Sequence, residues 1–187
     1  MILHIKNMVC DRCIMVVDQQ LRSLGFIVAH SELGHVTIAE EPDEQQLTKI
    51  RAALKLLGFE LLDEKRKQMV EGIKNVIIEM VHHTEPNDIK INYSDYISSR
   101  LQKDYPYLSA LFSESEDITI EKYIINQKIE RVKEFLEYDE LSLNQIALEM
   151  GYSSTAHLST QFKNVTGITP SKFKLLESKK RKPLDMI

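Results

Sequence analysis

The sequence predicts a two-part chain: a small α+β domain, then an all-α domain built from two similar helix-turn-helix units. Three observations carry this. Residues 1–64 run through apolar patterns in the order β-α-β-β-α-β. Further on, a stretch is written twice with an offset of fifty residues: Leu108, Ser109, Phe112, Ile118, Thr119, Lys122 and Tyr123 recur as Leu158, Ser159, Phe162, Ile168, Thr169, Lys172 and Phe173. Charge divides in the same place. Residues 1–64 hold six basic and ten acidic residues, so the whole net charge of −4 of the 187-residue chain lies there, and the remainder holds 18 of each.

The front elements follow in order. Ile2 to Asn7 reads as a strand. Cys13 to Leu24 has helical spacing at Ile14, Val17, Leu21 and Leu24, and Gly25 closes it. Phe26 to His30 and Val36 to Ala39 are strand-like, with Gly34 as the turn between them. Leu47, Ile50, Leu54 and Leu57 mark a second helix closed by Gly58, and Phe59 to Leu62 is a last short strand. That order is the ferredoxin-like split motif. The expected boundary of this domain is 64/65.

The loop between the first strand and the first helix is Met8-Val9-Cys10-Asp11-Arg12-Cys13. It resembles the Met-x-Cys-x-x-Cys loop of heavy-metal-associated domains, and the resemblance covers nearly all of residues 2–64. It implies Cys10 and Cys13 as ligands, Met8 packed beneath the loop and Phe59 close to it. The chemistry agrees. These are the only two cysteines in the chain, and a helix start at Cys13 would favour its thiolate. Two thiolates without histidine suit a soft ion such as Cu(I), whereas closed zinc sites use four ligands. Zn(II), with Asp11 assisting, and Cd(II) are the alternative ions. Three other readings stay open: a redox pair, two inert small hydrophobes, or a fold that has lost its metal. The residues between the cysteines lack Pro or Gly, and a Met precedes them, which weighs against a thioredoxin-type site.

Asp63 to Lys67 is charged and lacks Gly and Pro, and Val70, Ile73, Ile77, Met80 and Val81 then mark a helix. Such a stiff joint would let an event at the cysteines bias the helical domain. His82-His83 ends that helix, where histidine meets the negative end of the dipole, and a loop is expected over Thr84 to Tyr93 with Pro86 and Asn87.

The first helix-turn-helix is expected at about 94–115. Gln102 stands where the second copy has Gly151, so this turn is either strained or built differently. Pro106 falls in the first turn of the recognition helix, and Ala110 sits where a longer side chain would reach DNA. Tyr105, Tyr107 and Ser109 remain as contact candidates. A linker helix over 118–138 has no Gly or Pro; at full length it would span about 30 Å. That is close to the ~34 Å between major-groove faces on one side of B-DNA.

The second unit, 142–166, is clearer. Ser142 and Gln145 have capping-box spacing, Ile146, Ala147 and Met150 form the apolar stripe, and Gly151 turns the chain. Ser153 or Ser154 caps the next helix, in which Leu158, Phe162 and Val165 point inward. Thr155, Ser159 and Thr160 occupy the other face, with Gln161 and Lys163 at its side. Gly167 ends that helix and Thr169-Pro170 opens another.

Gly151-Tyr152-Ser153-Ser154, Leu158, Phe162-Lys163, Gly167, Thr169-Pro170 and Phe173-Lys174 resemble the signature of AraC/XylS-family bacterial transcription regulators. The similarity covers roughly residues 68–175 and is most specific after Glu140. It implies seven helices, two recognition helices on one face of DNA, and Thr155, Ser159 and Thr160 as base-facing residues. Ser154 and Lys163 complete the expected DNA-binding set. The bland reading of the first copy is a packing module.

Charge and composition bound the rest. Leu141 to Lys182 holds seven basic and two acidic residues, although Lys179-Lys180-Arg181-Lys182 reads as a solvated tail. His4, His30 and His35 read as surface residues, and His157 as either a phosphate contact or a neighbour of Leu158. No signal-like or membrane-spanning run is present, so a cytoplasmic location is expected. No paired carboxylates, nucleophile motif or phosphate loop points to an enzyme. The expectation is a promoter-DNA-binding regulator responding to Cu(I), monomeric or homodimeric, with RNA polymerase as a further partner. Two alternatives remain: a metal-delivery protein whose helical part binds another protein, and a regulator whose front domain only dimerises or recruits a partner.

Overall fold

The computed structural model describes residues 1–62, 64–84, 92–176 and 181–187. The expected loop therefore lies largely outside the described residues, as do Asp63 of the joint and Lys179-Lys180 of the tail. The chain forms two compact units, Met1–Val76 and Ile77–Ile187.

The first unit is a small antiparallel sheet with helices. Its elements are β1 (Ile2–Lys6), α1 (Asp11–Ser23), β2 (Val28–Glu32), β3 (His35–Ile38), α2 (Glu44–Leu56) and β4 (Glu60–Leu62). The sheet order is β2-β3-β1-β4 with every neighbouring pair antiparallel. Alternation sets the register: Leu3 opposes Val36 and Ile5 opposes Leu61, so the apolar side chains share one face. That face and the stripes Val17–Leu21 of α1 and Ile50–Leu54 of α2 form the core. β2 starts two residues later than the pattern suggests, and an irregularity between Val28 and His30 shifts its register on β3. α2 begins at a capping box between Asp43 and Gln46, ahead of its apolar residues.

The helix after β4 starts as expected, α3 (Lys65–Ile78), but most of it belongs to the first unit. Gln68 donates to the Leu62 carbonyl at 2.8 Å and Glu71 Oε1 accepts the Asn7 N–H at 3.1 Å. The Asn75 side chain fills the space a Cβ on Gly34 would need. These polar ties, invisible to periodicity, put the division at 76/77 instead of 64/65.

The second unit continues with a π-helical turn (Glu79–His83), α4 (Tyr93–Leu101), α5 (Tyr105–Glu116), α6 (Ile120–Tyr138), α7 (Leu143–Glu149), α8 (Thr155–Thr166), α9 (Pro170–Lys174) and a 3-10 turn at Leu184–Met186. α3 to α9 are seven α-helices among the described residues, the number the resemblance implies. The fifty-residue repeat now has a physical content. Leu108 and Leu158 are fully buried, as are Phe112 and Phe162. Phe112 meets Tyr123 at 5.4 Å between ring centroids, and Phe162 meets Phe173 at 5.6 Å. Thr119 caps α6 through the Lys122 N–H, and Thr169 caps α9 through the Lys172 N–H. The repeated leucines, phenylalanines and threonines and the Tyr123/Phe173 pair are therefore core and caps.

One open alternative is decided here and one expectation is corrected. For the turn of the first helix-turn-helix the strained alternative holds: Gln102 takes the left-handed conformation (φ 52°, ψ 43°) that Gly151 takes in the second copy (φ 68°). The described part of the basic tail does not fray. Lys182 N–H donates to Glu130 Oε2 at 3.0 Å, Gln127 donates to the Leu184 carbonyl at 3.2 Å, and Arg181 pairs with Glu134 at 3.5 Å. The segment is laid along α6.

Candidate nucleic-acid interface and thiol pair

α7 ends at Met150, Gly151 turns the chain, and Ser154 opens α8 by accepting the His157 N–H at 3.1 Å. Leu158 and Phe162 turn into the core, with Val165 partly buried beside them. Helical spacing sends Ala156, Thr160, Lys163 and Asn164 the other way, and all four are exposed. Ser159 is half-buried at the edge of that face, and so is Thr155 at the helix start. Lys163 makes no ion pair among the described residues. Thr160, Ser159 and Lys163 thus offer a hydroxyl, a second hydroxyl and a cation from one side of one helix.

Other residues of α8 are already engaged. The Tyr152 hydroxyl donates to Gln161 Oε1 at 2.6 Å, which takes Gln161 out of the outward set. His157 stands edge-on to the Tyr152 ring at 5.3 Å and lies 3.2 Å from Ser153 Oγ. The Ser154 hydroxyl is held by its capping role.

α5 presents a different surface. Leu108, Leu111 and Phe112 are buried, and Pro106, Tyr107, Ala110 and Glu114 are exposed. Tyr107, 52% exposed, is the most accessible of the three candidates in this unit. Ser109 is half-buried, and the Tyr105 hydroxyl donates to Glu121 Oε1 at 2.5 Å. Burial and that carboxylate push the Tyr105 phenol well above its ordinary value. α5 carries two glutamates and no basic residue, whereas α8 carries Lys163 and no acid. α6 runs between the two helix-turn-helix copies with 19 residues, about 28 Å of helix. Lys174 is neutralised by Asp139, and Arg181 by Glu134 and Glu137, so the basic excess is smaller at the surface than in the sequence.

One residue with a clear structural role carried no signal in the sequence. Lys128, on α6, donates from Nζ to the Met150 carbonyl at 2.8 Å, and its ammonium sits 5.1 Å from the Tyr93 ring centroid and 5.3 Å from that of Tyr152. It caps the end of α7 next to the turn. Its partners lie more than twenty residues away in sequence, and no local pattern joins them.

Three histidine readings change. His82 is half-buried with Nε2 2.9 Å from Gln127 Oε1, and burial drops its pKa to about 4. It is neutral, not a cation at a helix end. His4 and His35 stack edge to face at 4.8 Å. Burial lowers the His4 pKa, and its Nδ1 is buried without a hydrogen-bond partner. Only His30 of that set is exposed.

In the first unit Cys10 is the N-cap of α1 and Cys13 lies in its first turn, so the helix starts two residues earlier than read. Both thiols are half-buried and free, with sulfurs 3.5 Å apart. That exceeds a disulfide bond of about 2.05 Å. It is within the ~4.6 Å that two sulfurs sharing one ion can span at ~2.3 Å each. Met8 is fully buried below the loop, and Phe59 is buried in the same core. The helix start does not prevail at Cys13: burial pushes its thiol up, and Cys10 beside it adds to the rise. Asn7 introduces the loop in a left-handed conformation, held by its amide on the Gly58 carbonyl and by its N–H on Glu71. Among the described residues no group of three or more His, Cys, Asp or Glu converges. The donor set is two sulfurs, which fits a low-coordinate soft ion better than tetrahedral zinc.

Residues 97–175 match the family profile described as a helix-turn-helix domain. The Msm operon regulatory protein of Streptococcus mutans is 28% identical over 130 residues, covering 69% of this chain and 45% of that protein. An uncharacterized HTH-type transcriptional regulator of Staphylococcus aureus is 25% identical over 192 residues, covering 88% of this chain and 26% of its own length. The C-terminal domain of AraT, a response regulator from Geobacillus stearothermophilus, superposes with a TM-score of 0.49 at 20% identity, over 64% of this chain and 97% of that domain. The chain spans less than half the length of these curated relatives. The matched segment lies inside the AraC/XylS resemblance read from the sequence, and the relatives are named as regulators. Among the described residues no helix is long and apolar enough to cross a membrane.

Proposed function

We propose that the chain is an AraC-type, sequence-specific DNA-binding transcription regulator whose activity responds to a soft metal ion. The observation that carries the DNA reading is the division of α8. Leu158 and Phe162 anchor it in the core, while Thr160, Ser159 and Lys163 are left outward on a helix that follows a tight turn. Hydroxyls suit base edges and an unpaired lysine suits a phosphate. α8 is the principal reading helix. α5, without a cation and with two glutamates, contributes through Tyr107 and the shape of its surface.

The first unit is read as a ferredoxin-like, heavy-metal-associated domain that holds Cu(I) between Cys10 and Cys13. The strand order β2-β3-β1-β4 and the 3.5 Å sulfur pair support it. Cys10 and Cys13 would hold the cuprous ion, which would supply positive charge at the loop. The chain itself supplies the route outward from the loop: Asn7 is tied to Glu71, on the helix that leads into the second unit.

The test uses the full chain and duplex DNA selected from a random pool. Selection should enrich one sequence, and Thr160→Ala should weaken or redirect that preference. Cu(I) should shift the mobility titration of the wild type and leave that of a Cys10→Ser, Cys13→Ser double mutant unmoved. No enrichment would end the DNA reading; identical Cu(I) titrations for the two proteins would end the metal coupling alone.

A further inference from the structure

A cavity of about 460 Å³ opens in the second unit beside the turn of the second helix-turn-helix. That volume is in the range of small-molecule sites. Met80, Phe135 and Met150 give it apolar walls, Lys128 and Arg131 point two cations at it, and Gly151 of the turn is part of its lining. The two cations differ. Arg131 is bonded to Glu134 at 2.7 Å and lies over the Phe135 ring. Lys128 has no carboxylate partner among the described residues. Its acceptor is the neutral carbonyl of Met150, backed by two ring faces. Among the described residues Glu149 is the single carboxylate in the lining, against Lys128 and Arg131.

We propose that this cavity binds a small organic anion, an apolar body bearing one carboxylate, and that Lys128 is its ligand. A charge-assisted bond to a carboxylate is stronger than one to a neutral carbonyl. The ammonium therefore turns from Met150 toward the anion, and the end of α7 loses its cap next to Gly151. The turn that sets α8 is loosened, and by linkage DNA and anion oppose each other's binding. This second step rests on the DNA-binding reading; the binding step does not.

The probe is 2-naphthoate, with uncharged 2-naphthalenemethanol as the control. The chain has no Trp, so naphthoate fluorescence is read against a low background. The full chain should take up one naphthoate per chain, and the alcohol should bind at least roughly tenfold more weakly. Lys128→Met should lose a similar factor and Lys128→Arg should retain binding. Phe135→Trp, which fills the cavity and leaves Lys128 in place, should block uptake with an unchanged circular dichroism spectrum. On the selected DNA, saturating naphthoate should weaken binding at least about fivefold. No saturable uptake up to millimolar naphthoate overturns the site, as does equal binding by Lys128→Met or by the alcohol. Uptake as described with unchanged DNA affinity overturns the coupling. Uptake with no DNA binding in either state leaves the site standing and removes the regulator reading instead.

Discussion

Replacing Gly151 by Ala should destabilise the second unit, and replacing Gln102 by Gly should stabilise it, although the two residues hold the same place in the two copies. A Cβ on Gly151 would meet only the Lys128 ammonium, at an ordinary 3.9 Å, so packing contributes little. What remains is backbone. At φ 68° an L-residue is disfavoured by about 1–2 kcal/mol. Ala recovers about 0.4–1 kcal/mol through a stiffer unfolded chain. The net loss is about 1 kcal/mol. Gln102, at φ 52°, already carries that strain. Gly would relieve it and give back roughly 0.5–1 kcal/mol in unfolded-state entropy, a net gain of roughly 0.5–1 kcal/mol. For a domain of this size 1 kcal/mol moves Tm by about 4–8 °C. Thermal unfolding followed by calorimetry should show Gly151→Ala lower by several degrees and Gln102→Gly higher by a few. The swap of both, Gly151→Gln with Gln102→Gly, should lie near the wild type, since the sites share no partner. A Tm unchanged by Gly151→Ala, or lowered by Gln102→Gly, would refute the view that left-handed backbone controls these turns.

Other expectations follow from the same geometry. Lys163→Ala should weaken binding to all duplexes about equally and reduce the slope of log affinity against log salt by about 1, measured by fluorescence anisotropy. Glu130 pairs with Lys133 at 2.5 Å where both side chains are at most 10% exposed. Glu130→Ala should therefore cost about 3–5 kcal/mol in denaturant unfolding, and Glu130→Met with Lys133→Met much less, because no charge is left stranded. His82 has a folded pKa of about 4, below its ordinary 6.5, so the unfolded chain binds the extra proton. Its contribution is complete above about pH 6.5 and is lost as pH falls toward 4, by at most about 3 kcal/mol. His82→Gln should flatten the stability-pH curve in that window; an unchanged slope would rule His82 out as its source.

Local chemistry was what the sequence displayed well. Caps at Ser142 and Thr169, the stripe Leu158–Phe162 and the turn at Gly151 all act over a few residues, and each lies where spacing put it. The repeat was legible as a repeat, but its meaning was not. Thr119 and Tyr123 recur because one caps a helix and the other meets Phe112, contacts that only folding creates. Long-range polar ties were invisible. Nothing near Lys128 announces Met150, nothing near Glu71 announces Asn7, and His82 looked like a helix-end cation until Gln127 and burial were seen. Among the candidate contacts, Thr160, Lys163 and Tyr107 lie exposed, while Tyr105 and Gln161 are held by Glu121 and Tyr152. Periodicity tells inside from outside; it does not tell a vacant hydroxyl from an engaged one.

The two copies have kept their interiors and parted company on their surfaces. Pro106, Ala110 and Glu114 on α5 stand where α8 has Ala156, Thr160 and Asn164. A duplex gripped by this pair would meet two unlike hands, so its paired half-sites would not be palindromic. The target would have a direction, and reversing it relative to a gene would not be neutral.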